Sequence, residues 1–132
     1  MTPDKLFLDA NILFSLCFGS RGLGRLLETA RTGQCRLMVS RYVLEEVRRN
    51  LDEPEHLAVL ENLTRMLEIV PEADPSLECP VDLPDKDRPV FMAAAAAGAD
   101  YLITGDMTHF GQYFKQRFMG VTICMARHYL SL

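Results

Sequence analysis

The stretch from Asp85 to Asp106, DKDRPVFMAAAAAGADYLITGD, constrains this chain more than any other. It predicts a helix beginning at Asp87, since Asp is a favoured N-cap and Pro89 is tolerated in the first turn. The helix reads as apolar all round, which marks a buried helix. Its run Ala93 to Ala97 lets neighbouring backbones come close, and Gly98 supplies the stop. Tyr101 to Thr104 is a short apolar run that fits a buried strand, and it ends in Thr104-Gly105-Asp106. One carboxylate therefore starts the helix and another follows the next strand. In a parallel α/β sheet, ligands bind outside the carboxyl ends of the strands. Asp106 is placed there by its strand. Asp87 reaches the same end because loops leading into helices lie on that side.

A chain of 132 residues fits one domain, long enough to bury roughly two-thirds of its unfolded surface. With 48% hydrophobic and 24% charged residues it reads as globular, not disordered. The net charge of −4 argues against simple electrostatic binding of nucleic acid. It leaves room for a nucleic-acid enzyme whose carboxylates are neutralised by metal. Cys17, Cys35, Cys79 and Cys124 are scattered, with no Cys-x-x-Cys pair, so neither a zinc site nor a redox motif is expected. Reduced cysteines of this kind suit a cytoplasmic protein. No signal peptide or membrane span is visible.

The rest of the chain alternates strands and helices. Lys5 to Leu8 is a short apolar strand ending at Asp9, and Ile12-Leu13-Phe14 opens a helix that Asp9 or Asn11 could cap. Leu23, Leu26, Leu27 and Ala30 follow helical spacing, with Gly33 as the stop. Cys35 to Val39 is the second strand. Ser40 caps a third helix whose inner side carries Val43, Leu44, Val47 and Leu51. Glu45 and Glu46 both lie on that helix, and periodicity leaves the choice between them open. Pro54 begins a fourth helix with Leu57, Leu60, Leu63 and Leu67 along one side. Glu68 to Val70 is a minimal third strand, and Pro71 to Pro84 reads as a surface loop. The fourth strand is Tyr101 to Thr104. A helix is expected from Met107 to about Arg117, and Val121 to Cys124 is the fifth strand before a last helical turn, Arg127 to Leu130. This alternation predicts a three-layer α/β/α sandwich around a central parallel sheet.

The acids Asp9, Glu46 (or Glu45), Asp87 and Asp106 form the candidate constellation. Two unit charges ~5 Å apart at an effective dielectric of ~20 repel by about 3 kcal/mol. Such a group must hold a proton or a cation. Mg²⁺ and Mn²⁺ take oxygen ligands and retain water, and they can activate that water toward a phosphodiester. Spacing alone is weak support, since acids begin helices in most proteins.

The chain resembles PIN-domain ribonucleases of the kind found as toxins in toxin–antitoxin pairs (VapC-like). The matching residues are Phe7 to Leu13, Val39-Ser40 with Leu44 to Val47, Asp87 to Val90, and Tyr101 to Asp106. The resemblance implies a PIN-like fold with strand order 3-2-1-4-5. It implies a metal-dependent endoribonuclease that binds Mg²⁺ or Mn²⁺ in an acidic pocket and cuts RNA. On this resemblance Asp9, Glu46, Asp87 and Asp106 are the catalytic and metal-binding acids, and Asn11, Ser40 and Thr104 support them. Asp85 is a competing acid beside Asp87. A small antitoxin protein and a homodimer are the implied partners, and the apolar side of the fourth helix offers a surface for the latter.

Other readings fit less well. A haloacid-dehalogenase phosphatase needs a second Asp where Asn11 stands, and a phospho-receiver needs a Lys where Met125-Ala126 stands. A PIN-like module that binds RNA or protein without cutting is the competitor from another class. His56, His109 and His128 have no metal-ligand spacing among themselves, although His109 could touch a substrate phosphate. Arg41, Arg48, Arg49 and Arg88 flank the acids, where they could bind phosphate or pair with local carboxylates.

Overall fold

The computed structural model describes residues 2–132. Its sheet is built outward from β1 (Asp4–Leu8), whose Leu6, Phe7 and Leu8 are fully buried. A strand this apolar on both faces belongs in the middle of a parallel sheet covered by helices. On one side β1 pairs in parallel with β2 (Cys35–Ser40), which pairs in parallel with β3 (Glu68–Val70). On the other side lies β4 (Tyr101–Ile103), also parallel. The expected order 3-2-1-4 followed by Val121 to Cys124 holds, with one addition. A two-residue strand, β5 (Arg117–Phe118), runs antiparallel on the outer edge of β6 (Val121–Cys124), so the full order is β3-β2-β1-β4-β6-β5.

That added strand corrects the helix expected from Met107 to Arg117. The helices in chain order are α1 (Ala10–Cys17), α2 (Arg21–Arg31), α3 (Arg41–Arg49), α4 (Pro54–Thr64), α5 (Arg88–Ala96), α6 (Met107–Phe110) and α7 (Ala126–Leu130). After α6 a single 3₁₀ turn, Gly111–Tyr113, follows. The Lys115 N–H then donates to the Ile123 carbonyl at 2.7 Å, which takes the chain into the sheet. Met119 and Gly120 both have positive φ, 52° and 81°, as a tight hairpin turn demands. The aromatic spacing that suggested a helix serves another contact, because Tyr113 and Phe118 meet edge to face at 5.7 Å.

Two junctions set the site. At Asp9 and at Ser40 the chain passes from strand to helix within one residue, with backbone still extended at each. The Ser40 hydroxyl accepts from the Val43 N–H at 3.3 Å and starts α3 at the carboxyl edge of the sheet. Similarly, the Ser20 hydroxyl caps α2, which begins at Arg21, two residues before the expected Leu23.

Helix α5 packs against β2, β4 and α3. Phe91, Ala93 and Ala94 are fully buried, and burying Phe91 alone contributes roughly 2–3 kcal/mol. The helix is not buried all round, however, since Ala96 is exposed. The loop 71–84 that delivers α5 is tied down by Val81 and Leu83, both buried. The Tyr42 hydroxyl fixes its end by donating to the Lys86 carbonyl at 2.7 Å.

Candidate active site

Register decides which side chains meet. Leu8 stands opposite Ile103 in the β1–β4 pair, so Asp9 and Thr104 leave the sheet side by side. The Asp9 carboxylate is buried, at 5% exposure, and accepts three bonds. They come from the Ala10 N–H at 2.8 Å, the Thr104 hydroxyl at 2.8 Å and the Asn11 amide at 3.1 Å. The Asn11 side-chain oxygen in turn accepts from the Gly105 N–H at 2.7 Å. A side chain at position 105 would crowd this contact, because a Cβ there would stand 3.3 Å from Asn11 Oδ1. Burial pushes the Asp9 carboxyl up to about 6; the Thr104 and Ala10 bonds oppose this, and the charges of Asp87 and Glu46 add to it.

Asp87 occupies the N-cap position of α5, as the sequence suggests, but its side chain makes no capping bond. The carboxylate is 8% exposed and turned inward. Burial raises its pKa; His109 and Lys86 oppose that rise, and Asp106 reinforces it. Asp106 does cap its helix, since its Oδ1 accepts the His109 N–H at 3.0 Å. Its other oxygen, Oδ2, lies 2.9 Å from His109 Nδ1, and Asp87 Oδ2 lies 2.9 Å from the same nitrogen. Neither contact is aligned as a hydrogen bond, so Asp87 Oδ2 and His109 Nδ1 are buried without such partners.

Asp87, Asp106 and His109 thus bring ligand atoms within 4.8 Å of one another. Asp9 and Glu46 lie outside this tight group but line the same cleft of about 530 Å³, together with Asn11, Phe14 and Lys86. Helix α3 turns Glu46 toward the cleft and leaves Glu45 in solvent, where it pairs with Arg48 at 3.7 Å. Asp85 also faces solvent, bound to Arg88 at 2.7 Å. Ser40 is fully buried and acts on the site only through the start of α3. Among the described residues Arg41 and Arg49 form no ion pair, and Lys86 is the one cation lining the cleft. A larger cavity of about 870 Å³ lies between the 71–84 loop and α5; Asp85 lines it, and none of the four cleft acids does.

Sequence reasoning gave His109 at most a contact with substrate phosphate and missed its place between Asp87 and Asp106. The signal lies in Asp106-x-x-His109. Once Asp106 caps a helix, the residue three positions on stands over the cap on the same face. Spacing among the histidines themselves could not show this.

The sequence profile of the PIN domain matches residues 5–108. The chain belongs to the PIN-domain family. The matched region contains the four acids, and His109 follows one residue beyond it. In fold, this PIN domain is similar to a chain of the VapBC2 complex of Rickettsia felis, solved bound to a promoter DNA fragment. The two share 16% identity over 90% of this chain and 96% of the other, with a TM-score of 0.66. It is also similar to VapC20 of Mycobacterium tuberculosis, described as a toxin that cleaves the sarcin–ricin loop. There the identity is 15% over 78% of this chain and 92% of the other, with a TM-score of 0.52. No curated protein sequence is close enough to count as a match.

Proposed function

We propose that this PIN domain is a divalent-metal-dependent endoribonuclease that hydrolyses RNA phosphodiester bonds as the toxin of a toxin–antitoxin pair. The observation that carries the reading is Asp87. It is a buried carboxylate at a helix start that makes no capping bond, and it faces Asp106 across the cleft. A structural cap would spend its oxygens on backbone N–H groups. Two carboxylates held together without protons call for a cation, and a set dominated by oxygen donors suits Mg²⁺ or Mn²⁺. When bound, such an ion supplies Lewis acidity for water activation and for charge developing on a phosphate.

The chain's own residues do the rest. Asp87 and Asp106 would hold the ion directly. Asp9 and Glu46 face the same cleft from the end of β1 and the body of α3 and would add negative charge around the ion. Asn11 and Thr104 hold the Asp9 carboxylate in one orientation. Lys86 at the rim offers the cleft's one positive charge to a phosphate. Fold neighbours support the biological role. One is described as a toxin that cleaves the sarcin–ricin loop, and another is VapBC2 bound to a fragment of its promoter. A small antitoxin protein is therefore the partner we propose, in the cytoplasm. No helix of the described residues is long and apolar enough to cross a membrane, and the cysteines are unpaired. On the apolar side of α4, Leu60 and Leu63 are buried in the core, so only Leu57 at its exposed edge is left to offer a homodimer contact.

The test is RNA cleavage by the purified protein in Mn²⁺ or Mg²⁺, abolished by EDTA. Glu46→Gln should lose cleavage and Glu45→Gln should keep it. A protein that binds RNA equally well in EDTA and never cuts it would instead be a non-catalytic binding module.

A further inference from the structure

We propose that His109 is a nitrogen ligand in the metal site, and that it biases this PIN domain toward a first-row transition metal over Mg²⁺. The inference rests on the acidic cleft holding a divalent ion at all.

The geometry argues for ligation over a hydrogen-bonded ion pair. In an octahedral site with ligands at ~2.1 Å, adjacent donor atoms stand about 3.0 Å apart. Nδ1 of His109 lies 2.9 Å from Asp87 Oδ2 and 2.9 Å from Asp106 Oδ2. Those separations also suit hydrogen bonds, but neither contact is aligned as one, so Nδ1 and Asp87 Oδ2 face each other at ion-pair distance, both buried without a hydrogen-bond partner. A buried polar atom without a partner is costly, and it persists where something else satisfies it. Two carboxylate oxygens and one imidazole nitrogen lie within 4.8 Å of one another.

The backbone fixes the ring. The His109 N–H is held by Asp106 Oδ1 at 3.0 Å, so cap and ligand are set by the same turn of α6. The buried Phe110 that follows anchors the turn in the core. Imidazole nitrogen suits the later first-row ions such as Co²⁺, Ni²⁺ and Zn²⁺ best and Mn²⁺ less, whereas Mg²⁺ is hard, prefers oxygen and gives up water reluctantly. Replacing an oxygen donor or a water by Nδ1 therefore discriminates between ions of the same charge.

The experiment compares the full-length protein with His109→Ala and His109→Gln, all stripped with EDTA and titrated by calorimetry at one neutral pH with Co²⁺, Mn²⁺ and Mg²⁺. Both substitutions keep the backbone N–H that satisfies Asp106, and melting in EDTA checks that the fold is unchanged. The unmutated protein should prefer Co²⁺ and Mn²⁺ to Mg²⁺. The variants should lose about tenfold or more in Co²⁺ affinity and less than about threefold for Mg²⁺. Proton NMR of the Co²⁺-loaded protein should show a hyperfine-shifted, exchangeable imidazole N–H resonance that both variants lack. Equal losses for all ions, or unchanged Co²⁺ binding with no such resonance in the unmutated protein, would overturn the assignment of His109 alone. Failure of the unmutated protein to bind any of the three ions would overturn the metal site itself, and the proposed function with it.

Discussion

Thr104 reaches from the end of β4 to donate its hydroxyl to Asp9 Oδ2 at 2.8 Å, joining residues 95 positions apart. The same hydroxyl oxygen accepts from the Asn11 amide at 3.2 Å and from the Asp106 N–H at 3.1 Å. One side chain therefore ties three of the site's residues together, and it does so with a fixed direction of donation. Asp9 is the acceptor, so the arrangement favours its ionised form even though burial works against it.

Thr104→Val keeps the shape and removes that hydroxyl. Asp9 loses a donor, while Asn11 and the Asp106 N–H lose an acceptor in a fully buried place. The expected cost is about 1–3 kcal/mol in urea unfolding. Losing the Thr104 bond also removes the largest influence that lowers the Asp9 pKa, so that pKa should rise further. Thr104→Ser should restore most of both properties. A valine variant as stable as the unmutated protein would show that the bond contributes nothing to the fold.

Asp9→Asn tests the buried charge by its pH dependence. The folded pKa of about 6 lies above the ordinary 3.8, so the folded state binds the proton more tightly than the unfolded one. Stability contributed by this group is therefore present below about pH 3.8, falls as pH rises, and levels off above about 6. Asparagine carries no charge at any of these pH values. It does place an amide where Asp9 accepts from Thr104 and Asn11, a mismatch costing roughly 1–2 kcal/mol at every pH. In EDTA, the stability of the variant relative to the unmutated protein should thus improve across that window by up to about 3 kcal/mol. Urea titrations over a pH series read the difference, and a flat difference would sink the account.

Much of this architecture was legible because its signals are local. A buried parallel strand is apolar throughout, and Leu6-Phe7-Leu8 and Leu102-Ile103 read that way without any knowledge of their neighbours. An acid directly after such a strand, or within three residues of its end, is then carried to the carboxyl edge, which locates Asp9 and Asp106. Other features depend on partners distant in sequence. Arg117–Phe118 forms an edge strand because β6 is there to bond with, while the spacing of Tyr113, Phe114 and Phe118 mimics a helix. Periodicity could not choose Glu46 over Glu45, since the two differ by only about 100° around the axis; the family resemblance favoured Glu46, and the rotation of α3 turns it toward the cleft. For Asp87 the sequence located the helix start but could not tell whether the carboxylate would turn back to cap it. The contact of His109 with Asp87 stayed hidden because Asp87 belongs to α5, which only the fold brings beside α6.

Asp87 and Asp106 both sit at N-cap positions, yet their removal should have different structural consequences. Asp106 accepts the His109 N–H, so Asp106→Ala should lose about 1 kcal/mol of stability in EDTA. Asp87 makes no capping bond and is buried beside a like charge. Asp87→Ala should therefore melt at the same temperature as the unmutated protein or higher, again in EDTA. Added metal should reverse the order. An ion at 100 times its Kd stabilises a folded protein by about 2.7 kcal/mol, and only the unmutated protein should show this gain in full. RNA cleavage should fall in both variants, because each has lost a ligand from the same cluster. The decisive comparison is the Asp87→Ala melt without metal. A loss of about 1–2 kcal/mol there would mark Asp87 as an ordinary helix cap. Unchanged or raised stability, joined to lost metal stabilisation and lost cleavage, would mark it as a carboxylate retained for the ion it binds.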